Sequence, residues 1–284
     1  MSELPVPSRK PRDDEMDVHG LTQAGSAGGA SRDRYLMARI HKRIDVQETN
    51  LDTNEKLPVG EQRLAYLQMV ADGSTGSVAA GADVADVLAY VHGSMAVYYG
   101  AKRGETSFTE QLQAAAMRAH AAVRARQNAP AHDATSLTLF IGVWPTYYLL
   151  QVGDTRCYIW NRDALTVVRR EGMVTRTREA DGTLAPAPRA SAPHVRIVSE
   201  GAAGDATQPA VKLLESDWGN VHLLCSGELS RHVSDERIAT VLATMTSAQQ
   251  ACEQLLAEAL AAGATRDVTL TLSRVVPRET TGAP

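Results

Sequence analysis

The sequence predicts an α+β sandwich built mostly of antiparallel, hairpin-linked strands with a few helices. Two observations carry this. First, the β-branched and aromatic runs TSLTLFIGV, TYYLLQV, RCYIW and ALTVVRR follow one another with only Trp-Pro, Gly-Asp and Arg-Asp turn signals between them, which is the pattern of hairpin-linked strands. Second, helical spacing is confined to a few separate blocks, so most strands lack the helical crossovers that a parallel doubly wound sheet needs. At 284 residues and 44% hydrophobic content, the chain is long enough for one sizeable domain.

Residues 1–17 are rich in Pro and charge without an apolar period, and are expected to be a disordered lead-in. The folded domain is expected over 18–277, with 278–284 a tail. From Val18 the chain alternates weakly, passes a small-residue loop and enters RYLMARI, which reads as a strand. RLAYLQMVADG is an apolar run closed by Asp72-Gly73. Residues 74–100 then take on helical spacing, and 109–128 are strong helix formers with Thr109 as N-cap and Pro130 after the end. The four meander strands come next. Residues 171–193 are polar and aperiodic and are expected to form a long surface loop. VHLLCSGEL reads as a strand breaking at a small-residue turn, SDERIATVLA and SAQQACEQLLAEALAAG as helices, and DVTLTLSRVV as a final strand.

A net charge of −4 argues against general affinity for nucleic acid or anionic membranes. The first residues contain no apolar stretch like a signal peptide, and no later run reaches the roughly 18 apolar residues of a span. Cys157, Cys225 and Cys252 show no CxxC spacing and are expected to be reduced, buried thiols. A soluble, cytoplasmic monomer is the expectation. No helical His pair at i, i+4, no GxSxG elbow and no GxxxxGK[ST] loop occurs. His92, His120 and His222 read as satisfied or surface residues. Arg118, Arg124 and Arg126 read as a solvated helix face, and Trp144, Tyr147, Tyr148 and Tyr158 as core or core edge.

The strand-end signals form an order: Arg32-Asp33, Val70-Ala71-Asp72-Gly73, Val152-Gly153-Asp154-Thr155-Arg156, Leu224-Cys225-Ser226-Gly227-Glu228-Leu229, and Arg266-Asp267-Val268-Thr269. In that order and spacing the chain resembles the type 2C metal-dependent serine/threonine protein phosphatases in their compact bacterial form, from about Gly20 to Val276. The resemblance implies two antiparallel β-sheets stacked face to face and flanked by helices, an α-β-β-α sandwich, with two divalent cations, Mn²⁺ or Mg²⁺, in a cleft at one end. It also implies a metal-activated water that attacks the phosphorus of phosphoserine or phosphothreonine on a protein substrate. Carried over by position, Asp72 is the bridging aspartate, Gly73 supplies a backbone carbonyl to the first metal, Asp267 ligates the second, and Asp33 acts through metal-bound water. Asp154 and Arg156 match a turn of structural importance.

The chain departs from that pattern at four places. Gly227 stands where the family has an aspartate on the second metal, and Glu228, one residue on, either replaces that ligand or points to solvent. Arg32 stands where the family has a glutamate, removing an acid and adding a cation beside the site. Val268 replaces an asparagine, and Ser74-Thr75-Gly76-Ser77 lacks a histidine often found there. The loop Gly25-Ser26-Ala27-Gly28-Gly29-Ala30 contains no arginine for the substrate phosphate, leaving Arg32 or Arg34. One metal instead of two is therefore open. So are three readings: a phosphoprotein phosphatase, a pseudophosphatase serving as a binding or regulatory module, and a phosphatase of small phosphate esters.

Overall fold

The computed structural model describes residues 9–26, 29–40, 44–49, 65–73, 136–144, 146–170, 172–187, 195–199, 210–215 and 217–278. Two seven-stranded sheets are present among them. One has the order β1 (Met16–Gln23), β14 (Val268–Val275), β13 (Asn220–Cys225), β7 (Arg156–Asn161), β8 (Ala164–Arg169), β9 (Gly172–Arg178), β10 (Leu184–Pro186). The other has the order β11 (Val195–Ser199), β12 (Ala210–Glu215), β6 (Thr146–Val152), β5 (Ser136–Val143), β4 (Ala65–Asp72), β2 (Arg34–Ile40), β3 (Ile44–Thr49). Every neighbouring pair is antiparallel. Three helices follow β13: α1 (Gly227–His232), α2 (Asp235–Thr244) and α3 (Ala248–Ala261). The last two start at the N-caps the sequence offers, Ser234 accepting from Arg237 N and Ser247 from Gln250 N. The helices expected over 74–100 and 109–128 lie outside the described residues.

The core is layered. Tyr35, Met37, Tyr66, Val70, Phe140, Leu149, Ile159 and Leu224 fill the space between the sheets. Leu223, Leu270 and Leu272 of the first sheet pack against Leu229, Ile238, Ala251 and Leu255 of the helices. Leu36, Leu67, Met69, Leu139, Ile141 and Leu150 make the outer face of the second sheet apolar and buried as well. Strand β4 is therefore buried along its whole length, which explains why RLAYLQMVADG is a near-continuous apolar run with little alternation.

One polar side chain ties the two sheets together. Gln68, fully buried on β4, donates to Thr271 O at 2.8 Å and Thr271 Oγ1 at 2.9 Å, and accepts from Ser273 Oγ at 2.8 Å. Gln68→Leu leaves these β14 groups buried and unpaired, and is expected to cost about 2 kcal/mol in chemical denaturation. An unchanged midpoint would show that water replaces the amide.

Two boundaries differ from the sequence reading. Ordered structure starts before Val18: Glu15, buried, accepts a bidentate pair from Arg9 at 2.7 and 2.8 Å and a bond from Arg12 N at 2.7 Å. The Arg9 guanidinium holds the Glu15 carboxyl down at about 2. Asp17, on β1, accepts from Ala248 N and from Arg274. The charges in this stretch serve ion pairs, which an apolar period cannot reveal. Likewise, 171–193 contains β9 and β10, a hairpin at the sheet edge, tied to the rest of the sheet through β8, where Thr166 bonds across strands to Thr175 of β9 at 2.9 Å. An edge hairpin is half-exposed on both faces, so its strands show no alternation of burial.

His222 is not a satisfied histidine. Its ring is buried against Phe140 and Tyr147, with centroids 4.6 and 5.4 Å away, and its Nε2 has no hydrogen-bond partner among the described residues. It lines a cavity of about 40 Å³ at the end of the sandwich where β13 begins. Burial pushes its pKa down to about 4. Between that value and the unfolded value near 6.5 the unfolded chain binds the extra proton, so stability rises with pH there. This contribution is complete above about 6.5 and lost as pH falls towards 4, a change of about 3 kcal/mol. His222→Phe is expected to flatten the stability profile in that window; an unchanged slope would assign it to other groups.

Candidate active site

The site forms at the end of the sandwich where β4 and β13 finish and β14 begins. Asp72 is the last residue of the interior strand β4, pairs in register with Ser136, and is buried. Asp33, just before β2, is fully buried beside it and accepts from Gly73 N at 3.0 Å. Gly73 is required by close approach: a Cβ there would lie 2.5 Å from the Arg32 carbonyl oxygen. The sequence-predicted Asp33, Asp72 and Gly73 are thus brought together. Burial, and then the Asp72 charge, pushes the Asp33 carboxyl up to about 8, against hydrogen bonds from Thr269 and Gly73. Two carboxyl groups sharing one dry site resist double ionisation.

Asp267 reaches the same place in a different capacity. Its Oδ1 accepts from Gly25 N at 2.8 Å, and its Oδ2 from Arg32 N at 2.5 Å, Ser31 Oγ at 3.1 Å and Asp33 N at 3.4 Å. Burial raises its pKa, but these bonds outweigh that and hold its carboxyl below the usual range. Asp267 clamps the loop that carries Asp33. Val268, at the start of β14, is buried in the helix-side core.

Glu228 does not join this group. The expected turn at Ser226-Gly227-Glu228 is the first turn of α1, with Ser226 Oγ accepting from Thr269 N at 3.1 Å instead of capping the helix. The buried Glu228 carboxylate turns towards the segment before β14. Its Oε1 accepts from Thr265 N at 3.0 Å and Arg266 N at 3.1 Å and lies 3.2 Å from His232 Nε2; its Oε2 lies 3.4 Å from Arg231 Nη1. Burial pushes its pKa up, yet these partners hold it below the ordinary value. Arg231 also reaches Asp154 Oδ2 at 2.5 Å. The signal for Arg231 and His232 was in the sequence as i, i+3 and i, i+4 partners of Glu228, but it is legible only once 227–232 is known to be helical.

Of the two arginines considered for a substrate phosphate, Arg34 donates to the carbonyls of Ser31 and Asp33 at 2.6 and 2.8 Å. Arg32 is exposed, and its guanidinium makes no hydrogen bond or ion pair among the described residues. It is the arginine available at the lip of the site.

The donor set fits one hard divalent cation. Asp33 and Asp72, with the Gly73 carbonyl, offer oxygen only, and a cation relieves the repulsion between the two carboxyl groups. Mg²⁺ and similar ions are commonly held by one or two carboxylates with waters and substrate phosphate completing the shell. Among the described residues no second such set is open: the Asp267 oxygens accept three backbone N–H groups and a hydroxyl, and those of Glu228 meet two backbone N–H groups, His232 and Arg231. Among the described residues, no group of three or more His, Cys, Asp or Glu side chains is placed to hold a metal ion.

Comparison of the fold with solved structures decides what it is. The crystal structure of the serine/threonine phosphatase PstP of Mycobacterium tuberculosis superposes with a TM-score of 0.57 at 19% identity, covering 92% of this chain and 99% of that one. The fold is that of the type 2C serine/threonine phosphatases. The S. agalactiae serine/threonine phosphatase matches this type 2C fold with a TM-score of 0.56 at 17% identity, over 92% and 99% of the two chains. A structure of the PstP catalytic domain in complex with two manganese ions gives 0.55 at 19%, with the same coverage. By sequence, the M. tuberculosis phosphatase PstP is 29% identical over 142 residues, which is 50% of this chain and 27% of the relative's own length. No family model matches the chain.

Proposed function

We propose that this chain hydrolyses phosphoserine and phosphothreonine monoesters on proteins, with a divalent cation, Mn²⁺ or Mg²⁺. The observation that carries the reading is the buried Asp33–Asp72 pair at the end of the sandwich where β4 finishes, in a type 2C fold. The similarity in sequence to PstP, a serine/threonine protein phosphatase, supports the substrate class. When bound, the cation would supply charge stabilisation for the phosphoryl group and a water of lowered pKa. Asp72 and Asp33 would hold it through their carboxylates and Gly73 through its carbonyl. Without a cation, burial and the Asp72 charge favour the protonated Asp33 carboxyl, and a bound cation would draw it into the ionised form. Arg32 would meet the phosphate at the lip, and Asp267 keeps the Asp33 loop in place.

The three cysteines are free and buried, and no helix among the described residues is long and apolar enough to cross a membrane. Both fit a reading in which the protein works in the cytoplasm on soluble phosphoproteins. The test is phosphate release from a phosphothreonine peptide by EDTA-treated protein, with and without Mn²⁺. Mn²⁺-dependent release supports the proposal. Absence of release from folded protein would leave the sandwich as a binding module, and release from small esters alone would move the substrate class.

A further inference from the structure

Resting on that reading, we infer that the chain binds a single divalent cation and that the guanidinium of Arg231 stands in for the second. The argument begins at Gly227. A Cβ there would lie 2.5 Å from Asp154 Oδ2 and 3.2 Å from Arg231 Nη2, so no carboxylate can occupy position 227 while that ion pair is formed. The place a ligand side chain would take is filled by a carboxylate and a cation of the chain itself.

The Arg231 cluster belongs to the same end of the sandwich as Asp72. Ser136 pairs with Asp72 across β4 and β5, and its Oγ accepts from Asp154 N at 3.2 Å. Asp154 receives Arg231 at 2.5 Å, and Arg231 lies 3.4 Å from Glu228. Glu228 accepts from Arg266 N, and the next residue, Asp267, holds the Asp33 loop. The contacts thus run from Asp72 around the cleft and back to Asp33. A guanidinium between two carboxylates neutralises charge as a cation would, with fixed directional N–H donors. A dication entering there would have to displace it and strip the backbone bonds from Glu228.

The test counts Mn²⁺ on the EDTA-stripped full chain by titration calorimetry and electron paramagnetic resonance, with no activity readout. One Mn²⁺ per chain with an uncoupled six-line spectrum is expected, falling to none in Asp72→Asn. Arg231→Met, which releases Asp154 and Glu228, is expected to take up a second ion at least 10-fold more weakly. Arg231→Lys, which keeps the charge, is expected to stay at one. Two ions with an exchange-coupled spectrum in the unsubstituted chain would overturn the inference while leaving the phosphatase reading intact; no bound ion would overturn both. A folded Arg231→Met protein that still takes only one ion would remove Arg231 from the role.

Discussion

Asp72→Asn is expected to lower Mn²⁺-dependent phosphate release at least 1,000-fold, a loss of about 4 kcal/mol in transition-state stabilisation. The size follows from position. Asp72 ends an interior strand of its sheet, is buried, and is one of two carboxylates among the described residues that converge on the proposed cation. Asparagine keeps the shape and removes the charge, so the fold should survive. Turnover within a few-fold of the unsubstituted protein, with the same metal dependence, would remove Asp72 from the site.

Asp267→Ala is expected to destabilise the protein by about 3 kcal/mol, measured by denaturant unfolding in EDTA. Its carboxylate serves three backbone N–H groups and a hydroxyl, and a buried donor left unpaired costs roughly 1–3 kcal/mol. The metal-free condition is what discriminates. A loop clamp is missed equally with and without cation, whereas a pure metal ligand is missed only when the ion is present. A substitution that is silent in EDTA and costly in Mn²⁺ would restore Asp267 to the role implied by the family resemblance.

Much of the fold was legible because its determinants are local. The meander strands β5 to β8, the strands β2, β4, β13 and β14, and the capped helices α2 and α3 each announce themselves through β-branched runs, turn residues or an N-cap serine. The same holds for the Asp72-Gly73 turn and for Asp33, which sit at strand ends. The sheet-edge hairpin of β9 and β10 and the ion-paired start at Arg9–Glu15 were not legible, since half-exposed edges and salt bridges leave no hydrophobic period.

By themselves the residues showed which of them stand at strand ends, that most strands are joined by hairpins, and that Gly227 stands where the phosphatases it resembles have an acid. Only the tertiary structure decided what each carboxylate does. Asp33, Asp72, Asp154, Glu228 and Asp267 are alike as side chains, and their neighbours lie up to 242 residues away, as in the bond from Gly25 N to Asp267. A carboxylate surrounded by N–H donors is consumed as a clamp, one facing a guanidinium is neutralised, and one buried against another carboxyl group calls for a cation. Those surroundings exist only after the two sheets have stacked.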